Sequence, residues 1–272
     1  MERGDSLTHD EIAARNRVRD AGDIMQVGII GVGHIGKTLV QELSKAGYNV
    51  KVANSRGPDT IDPEVFASGG QAVTVEQAVA DANILILSIP FNQLIKIAPR
   101  LSGLPEDTVV IDTSNYYPMR DTDIADIEGG EVESVWVSRQ LGRLIAKAWN
   151  AIGSDSFARL GKPTDHPDRI AIPVAADNEP DRYVAKALVG DTGFDAVDAG
   201  SLSESWRQQP GSPDYCTDLK AIEMPDALAA AERSRLPKRR DLSVAAVRER
   251  LGDTKSNPTA DYLVRLNRAL FM

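Results

Sequence analysis

The residues best able to do chemistry sit in one short run, Gly31-Val32-Gly33-His34-Ile35-Gly36, which reads G-x-G-x-x-G. The pattern alone is weak evidence, and its context sharpens it. It follows directly on an apolar stretch at 26–30 and opens a segment in which Ile35, Leu39, Val40 and Leu43 share one helical face, the setting that a dinucleotide-binding turn requires. Each glycine then has a task. Gly31 permits the tight strand-to-helix turn, Gly33 lacks the Cβ that would hold a diphosphate off the backbone, and Gly36 lets the helix lie close to the sheet. Free amides at the helix start, together with its positive dipole end, would receive the diphosphate. The competing reading is a glycine turn with no ligand.

The next chemically pointed run is Asn54-Ser55-Arg56, whose first residue lies 18 positions beyond Gly36. An NAD-selective site normally carries Asp or Glu at this second strand tip to hold the ribose hydroxyls. Here a serine hydroxyl and a guanidinium are offered instead, which suit an anionic 2′-phosphate, so NADP(H) is expected over NAD(H). A solvated loop arginine is the alternative.

Other candidates carry less. His34 falls in the glycine turn, where helix-start hydrogen bonding accounts for it, while His9 and His166 lie in polar surroundings as solvated imidazoles. No G-x-S-x-G elbow is present. Lys147 with Asn150 faintly matches the Lys and Asn of β-hydroxyacid dehydrogenases, but a strand-borne Lys147 reads as structural. Trp136 and Trp206 read as packing residues, and Lys238-Arg239-Arg240 as a solvated helix start or a partner contact. The single cysteine, Cys216, excludes a disulfide framework and a zinc site built on paired thiolates, and no metal is expected.

These residues need a sheet to hold them. Apolar, β-branched runs at 26–30, 49–54, 84–89, 109–112, 144–149, 170–175 and 196–198 read as strands. They alternate with helical patterns at 34–46, 75–82, 92–101, 133–141, 154–160 and 180–189. Alternation of this kind predicts an α/β fold, a Rossmann-type doubly wound parallel sheet, and the continuous Ile84-Leu85-Ile86-Leu87 run fits a strand covered on both faces. The expected organisation is an arm at 1–24, a dinucleotide-binding domain at 25–145, a smaller α/β substrate-side lobe at 146–215 and a helical extension at 216–272. That extension holds 11 basic and 8 acidic residues, a local charge of +3 within a chain of 272 residues whose net charge is −9. The acidic balance disfavours nucleic acid. The longest apolar stretch, at 84–91, falls far short of the ~20 residues that span a bilayer, so no membrane span and a cytoplasmic address are expected.

The stretch GIIGVGHIGKTLVQELSKAGYNVKVANSRGP, followed by Ala-Val-Thr-Val-Glu-Gln-Ala and the strand ending Ser88-Ile89-Pro90, resembles the coenzyme F420-dependent NADP oxidoreductase family. The likeness continues through Ile111-Asp112-Thr113-Ser114-Asn115, through Lys147-Ala148-Trp149-Asn150-Ala151-Ile152-Gly153, and through Gln209-Pro210-Gly211-Ser212-Pro213-Asp214-Tyr215. It covers roughly residues 25–215, and Asn-Ser-Arg-Gly-Pro at 54–58 is its most specific part. The resemblance implies that Gly31, Val32, Gly33, His34 and Ile35 hold the pyrophosphate, with Gly36 behind them. It implies that Ser55 and Arg56, beside Asn54, hold the 2′-phosphate, and that Ser88, Ile89 and Pro90 flank the ribose and adenine. Asn115, Ala148, Trp149 and Asn150 would surround the nicotinamide, with Trp149, Asn150, Arg207 and Tyr215 as pocket candidates. Two departures stand out: Trp149 replaces the family's phenylalanine, and residues 216–272 extend beyond the compact family pattern.

The expected activity is hydride transfer between NADPH and a small-molecule electron acceptor, a deazaflavin such as coenzyme F420 or a flavin, in a homodimer. Such exchange between two bound heterocycles depends on positioning and exclusion of water, and needs no nucleophile. Two other readings stay open: an NADP-binding sensor without catalysis, and an imine or carbonyl reductase that would need a proton donor such as Tyr215.

Overall fold

The computed structural model describes residues 25–101, 103–252 and 256–272; the arm at 1–24 lies outside them. One sheet of eight strands organises the chain: β1 (Gln26–Ile30), β2 (Asn49–Ala53), β3 (Gln71–Ala72), β4 (Ile84–Leu87), β5 (Val109–Asp112), β6 (Ala146–Lys147), β7 (Ala171–Ala176) and β8 (Asp195–Asp198). Their spatial order is β3-β2-β1-β4-β5-β6-β7-β8. The order reverses between β1 and β4, which pair through Val27 with Ile84 and Ile30 with Leu87. Ligands of open α/β sheets bind beyond the strand tips at such a switch point.

Alternate residues of single strands enter opposite cores. Ile84, Ile86, Val109 and Ile111 join one apolar cluster, whereas Leu85, Leu87 and Val110 join the other. Side chains of period two with both faces apolar are what a sheet sandwiched between helices demands. The helices that matter below are α1 (His34–Lys45), α2 (Val75–Val79), α3 (Glu133–Leu141), α4 (Ser154–Arg159), α5 (Glu179–Asp191), α6 (Met224–Ala229), α7 (Leu236–Leu251) and α8 (Ala260–Phe271). Buried Leu39, Val40 and Leu43 seat α1 on one face of the sheet. On the other face α2 approaches so closely that a Cβ on Gly28 would lie 2.2 Å from the Ala78 carbonyl oxygen.

The structure departs from the sequence reading in several places; the helix expected at 92–101, for one, is broken into a 3-10 turn, a four-residue α-helix at Leu94–Ile97 and a second 3-10 turn. A two-residue strand at Gln71–Ala72 was not expected, being too short to show a period. The strand expected at 144–149 shrinks to Ala146–Lys147, with Leu144 at 49% exposure. Strand β7 runs antiparallel to β6 within an otherwise parallel sheet. Its connection carries only the six-residue α4, about 9 Å of helix, so the chain turns back at the same end of the sheet instead of crossing over. Finally, 236–251 is one long helix, and Arg239 and Arg240 in its first turns are buried at 9% and 8% exposure, not solvated.

The segment after Tyr215 folds back on its own chain. Asn267 of α8 donates to the Tyr215 carbonyl at 3.2 Å, Arg268 Nε to the Thr217 carbonyl at 2.8 Å, and the Ala260 amide to Asp155 Oδ2 at 2.7 Å. Among the described residues no helix is long and apolar enough to cross a membrane.

Candidate active site

The glycine turn joins the tip of β1 to α1, and its three glycines meet three different surroundings. Gly31 has φ +113°, and a Cβ there would lie 2.0 Å from the Ser88 carbonyl oxygen. A Cβ on Gly36 would lie 2.2 Å from the Gly31 carbonyl oxygen. Both positions exclude any side chain for packing reasons. Gly33 differs: its φ is −67°, and a Cβ would meet nothing within 4 Å. Space is therefore kept above Gly33 that the fold itself does not use. Gly33 caps α1 without a side-chain hydrogen bond, and no acidic residue occupies the first turn. The unpaired amides and the positive helix end face that space, the arrangement that receives a phosphate. Val32 and Ile35 turn their side chains into the core, and exposed His34 contributes its carbonyl to the Thr38 hydroxyl at 3.1 Å.

At the tip of β2, Asn54 Oδ1 accepts from the Arg56 amide at 2.9 Å, and Asn54 Nδ2 donates to Thr60 Oγ1 at 2.9 Å. Asn54 thus folds the loop, while Ser55 and Arg56 are exposed beside it. Among the described residues Arg56 has no ion-pair partner. Ser88 and Ile89 leave β4 against Gly31, and Pro90 follows, exposed, where the chain turns into a short helix.

The tips of β5 and β6 are tied together by polar side chains. Asp112 is fully buried; its Oδ1 accepts the Ser114 amide at 3.0 Å and its Oδ2 the Lys147 ammonium at 2.6 Å. Lys147 also donates to the Ser114 carbonyl. This pair holds the 113–115 turn from below and leaves Asn115 at the rim. Asn115 Nδ2 donates to the Asn150 carbonyl at 2.8 Å and to the Tyr215 hydroxyl at 3.2 Å, and Asn115 Oδ1 accepts from Asn150 Nδ2 at 3.1 Å. Asn150 exchanges two further 2.8 Å bonds with Gln208. Tyr117 brings its hydroxyl to 2.7 Å from that of Tyr215. Burial, the dominant cause, pushes the Tyr215 and Tyr117 phenols above their ordinary range.

Asn115, Asn150 and Tyr215 therefore meet in one cluster, and Gly31, Gly33, His34 and Ser88 in another beside it. Trp149 and Arg207 stand apart. Trp149 takes a left-handed backbone (φ +57°) that turns the chain at the β6 tip, and its ring is 1% exposed in the core with the indole N–H on Thr192 Oγ1 at 3.3 Å. The ring packs in the core beneath the strand tips. Ala148 is likewise buried in that core. Arg207 stacks 4.3 Å over the Trp206 ring, pairs with Glu204 and donates to the Leu228 carbonyl, so it serves the junction with α6. Sequence reasoning missed Tyr117, two residues beyond Asn115, and Gln208 and Arg240, which reach the site from distant parts of the chain.

A cavity of about 260 Å³ adjoins this cluster, lined by Tyr117 and Tyr215, by Val244, Val247 and Leu251 of α7, and by Leu263 of α8. A smaller one of about 150 Å³ contains Glu133 and Arg240. Burial pushes the Glu133 carboxyl up to about 7 despite nearby Lys147.

Comparisons with known proteins bear on the family and the fold. Protein YjhV of Escherichia coli (strain K12) is 42% identical over 106 residues, which is 38% of this chain and 72% of YjhV. Among solved structures, protein SMa0349 of Sinorhizobium meliloti aligns with a TM-score of 0.62 at 26% identity, covering 73% of this chain and 94% of that one. A protein described as an F420-dependent NADP reductase, from Arthrobacter sp. FB24, shares the fold with a TM-score of 0.50 at 15% identity, over 66% of this chain and 87% of its own. Residues 26–116, which run from β1 to the turn carrying Asn115, match the model of the family described as NADP oxidoreductase, coenzyme F420-dependent, and it is to this family that the chain belongs.

Proposed function

We propose that the protein binds NADP(H) across the tips of β2, β1, β4 and β5 and transfers hydride between its nicotinamide and a small acceptor. The observation that carries this reading is the unused space over Gly33. The open space over Gly33 leaves room for a ligand to reach the backbone, and the uncapped start of α1 favours an anion there. The exposed guanidinium of Arg56 supports the phosphorylated cofactor, since it meets a 2′-phosphate with charge-assisted hydrogen bonds, and the Ser55 hydroxyl can donate another.

Each residue then has a position. Amides of Gly33, His34 and Ile35 hold the diphosphate; Ser88 to Pro90 flank the adenine-side ribose; Asn115 and Asn150 border the nicotinamide. The bound dinucleotide supplies the hydride, and the chain supplies orientation and a dry floor of buried Ala148 and Trp149. The family description makes a deazaflavin such as coenzyme F420 the first acceptor to offer, with a flavin next.

The test is loss of the reduced-nicotinamide absorbance on adding NADPH and each of a deazaflavin, FMN, a quinone, a ferric chelate and a small carbonyl compound. Saturable turnover with at least one acceptor is expected. Tight NADPH binding with no turnover on any of them would instead favour a sensor.

A further inference from the structure

Resting on the reading that NADPH binds at these strand tips, we propose that Tyr117 and Tyr215 form a proton-donating pair facing the cavity closed by α7 and α8, and that this cavity takes a small carbonyl or imine compound with an apolar body. Two observations lead there.

The first is hydrogen-bond direction. Asn115 Nδ2 donates to the Asn150 carbonyl, which can only accept, so the amide is fixed with its NH₂ toward Tyr215 as well. The Tyr215 oxygen is therefore an acceptor from Asn115. If it also accepts from Tyr117, 2.7 Å away, its own proton is left for a third atom, and two donors remain to stabilise the phenolate once that proton has gone. Arg120 lies 5.3 Å from the Tyr117 ring centre and donates to the Asn115 carbonyl at 2.6 Å, its charge paired with buried Asp121 at 2.7 Å.

The second is the wall. Val244, Val247, Leu251 and Leu263 supply most of the apolar wall of a cavity of about 260 Å³ that the phenols also line, with Arg240 and Arg248 among its polar members, a size at the small end of ligand pockets. It suits a compact apolar molecule better than a substituted tricycle.

The chemistry matches that equipment. Hydride adds to the carbonyl or imine carbon, the π pair moves onto oxygen or nitrogen, and that atom takes the Tyr215 proton. Tyr215 is refilled through Tyr117 from water. The substrate gains two electrons and two hydrogens, NADPH is oxidised to NADP⁺, and one solvent proton is consumed.

Wild type, Tyr215→Phe, Tyr117→Phe and Val247→Trp should be compared with NADPH and cyclohexanone, a cyclic imine or a deazaflavin, alongside calorimetric titrations of NADPH, and of the ketone in the presence of NADP⁺. We expect turnover of the ketone or the imine, with Tyr215→Phe lowering kcat about 100-fold or more at little change in KM, and Tyr117→Phe acting in the same direction. Val247→Trp should abolish ketone binding in the calorimeter while leaving NADPH affinity unchanged, a result that does not depend on turnover. Turnover confined to the deazaflavin, or full ketone turnover by Tyr215→Phe, would overturn the inference and leave the NADPH reading standing. Absence of NADPH binding by the folded wild type would overturn both.

Discussion

At Gly33 and Gly36 one residue type serves opposite purposes, and substitution separates them. Valine at 33 enters open space, so Gly33→Val should abolish NADPH binding while costing only about 1 kcal/mol of stability. Alanine at 36 would press on the Gly31 backbone carbonyl and should cost roughly 1–3 kcal/mol through overpacking. Thermal unfolding and calorimetry on the two variants measure both effects; a Gly33→Val protein that retains NADPH would reduce the turn to architecture. Arg56→Glu replaces the phosphate's partner with a like charge. It should raise the NADPH dissociation constant by about 10- to 100-fold, the equivalent of one charge-assisted hydrogen bond of ~1.5–3 kcal/mol, and leave NADH nearly unaffected. Equal losses for both cofactors would move the 2′-phosphate elsewhere. These residues were legible because their logic is local: a strand, three glycines and a helix within 20 residues. Tyr117 and Gln208 were not. Each acquires its role only by meeting a residue 98 or 58 positions away, and no spacing rule reaches so far. Trp149 was misplaced for a related reason, since the sequence carries the ring's size but not the left-handed backbone that turns it into the core.

Among the elements, β6 shows how little strand can suffice when side chains pin it. Only Ala146 and Lys147 pair with β5, yet Lys147 drives its ammonium onto Asp112 and the Ser114 carbonyl in a fully buried site. Removing one partner leaves a buried charge uncompensated, which costs about 3–5 kcal/mol. Lys147→Met should therefore lower stability by that order, and Lys147→Met with Asp112→Asn should recover part of it by discharging the orphan; chemical denaturation of the single and double variants checks this. A double variant no more stable than the single one would show that the charge pair is incidental to the junction. The core strands were readable from their apolar runs because both faces are covered, whereas β3 and β6 are too short for any period to register. What escaped notice in α7 was the burial of its basic first turns: Arg239 and Arg240 look solvated in sequence, and only the docking of α7 buries them.

Over the whole molecule, burial of carboxyls sets the pH response. Desolvation raises Glu133 from 4.5 to about 7 and Asp214 from 3.8 to about 7. The folded state then holds these protons more tightly than the unfolded chain. Their contribution is fully present below the unfolded values and is lost as pH rises from about 4 to about 7. Glu133→Gln and Asp214→Asn should each flatten the fall in melting temperature across that window; an unchanged slope in both would mean that other groups govern it. The extension at 216–272 gives the molecule its second distinction, because α7 and α8 pack onto Tyr215 and wall the cavity beside the β5 tip, a placement that the sequence allowed but did not specify. Everything proposed for that cavity presupposes a phosphorylated dinucleotide on the glycine turn, and calorimetric titration of the folded protein with NADPH and with NADH tests this most directly. Saturable NADPH binding at one site per chain, tighter than NADH, is the predicted result; no heat from NADPH at millimolar concentration, or equal affinity for the two, would contradict the account.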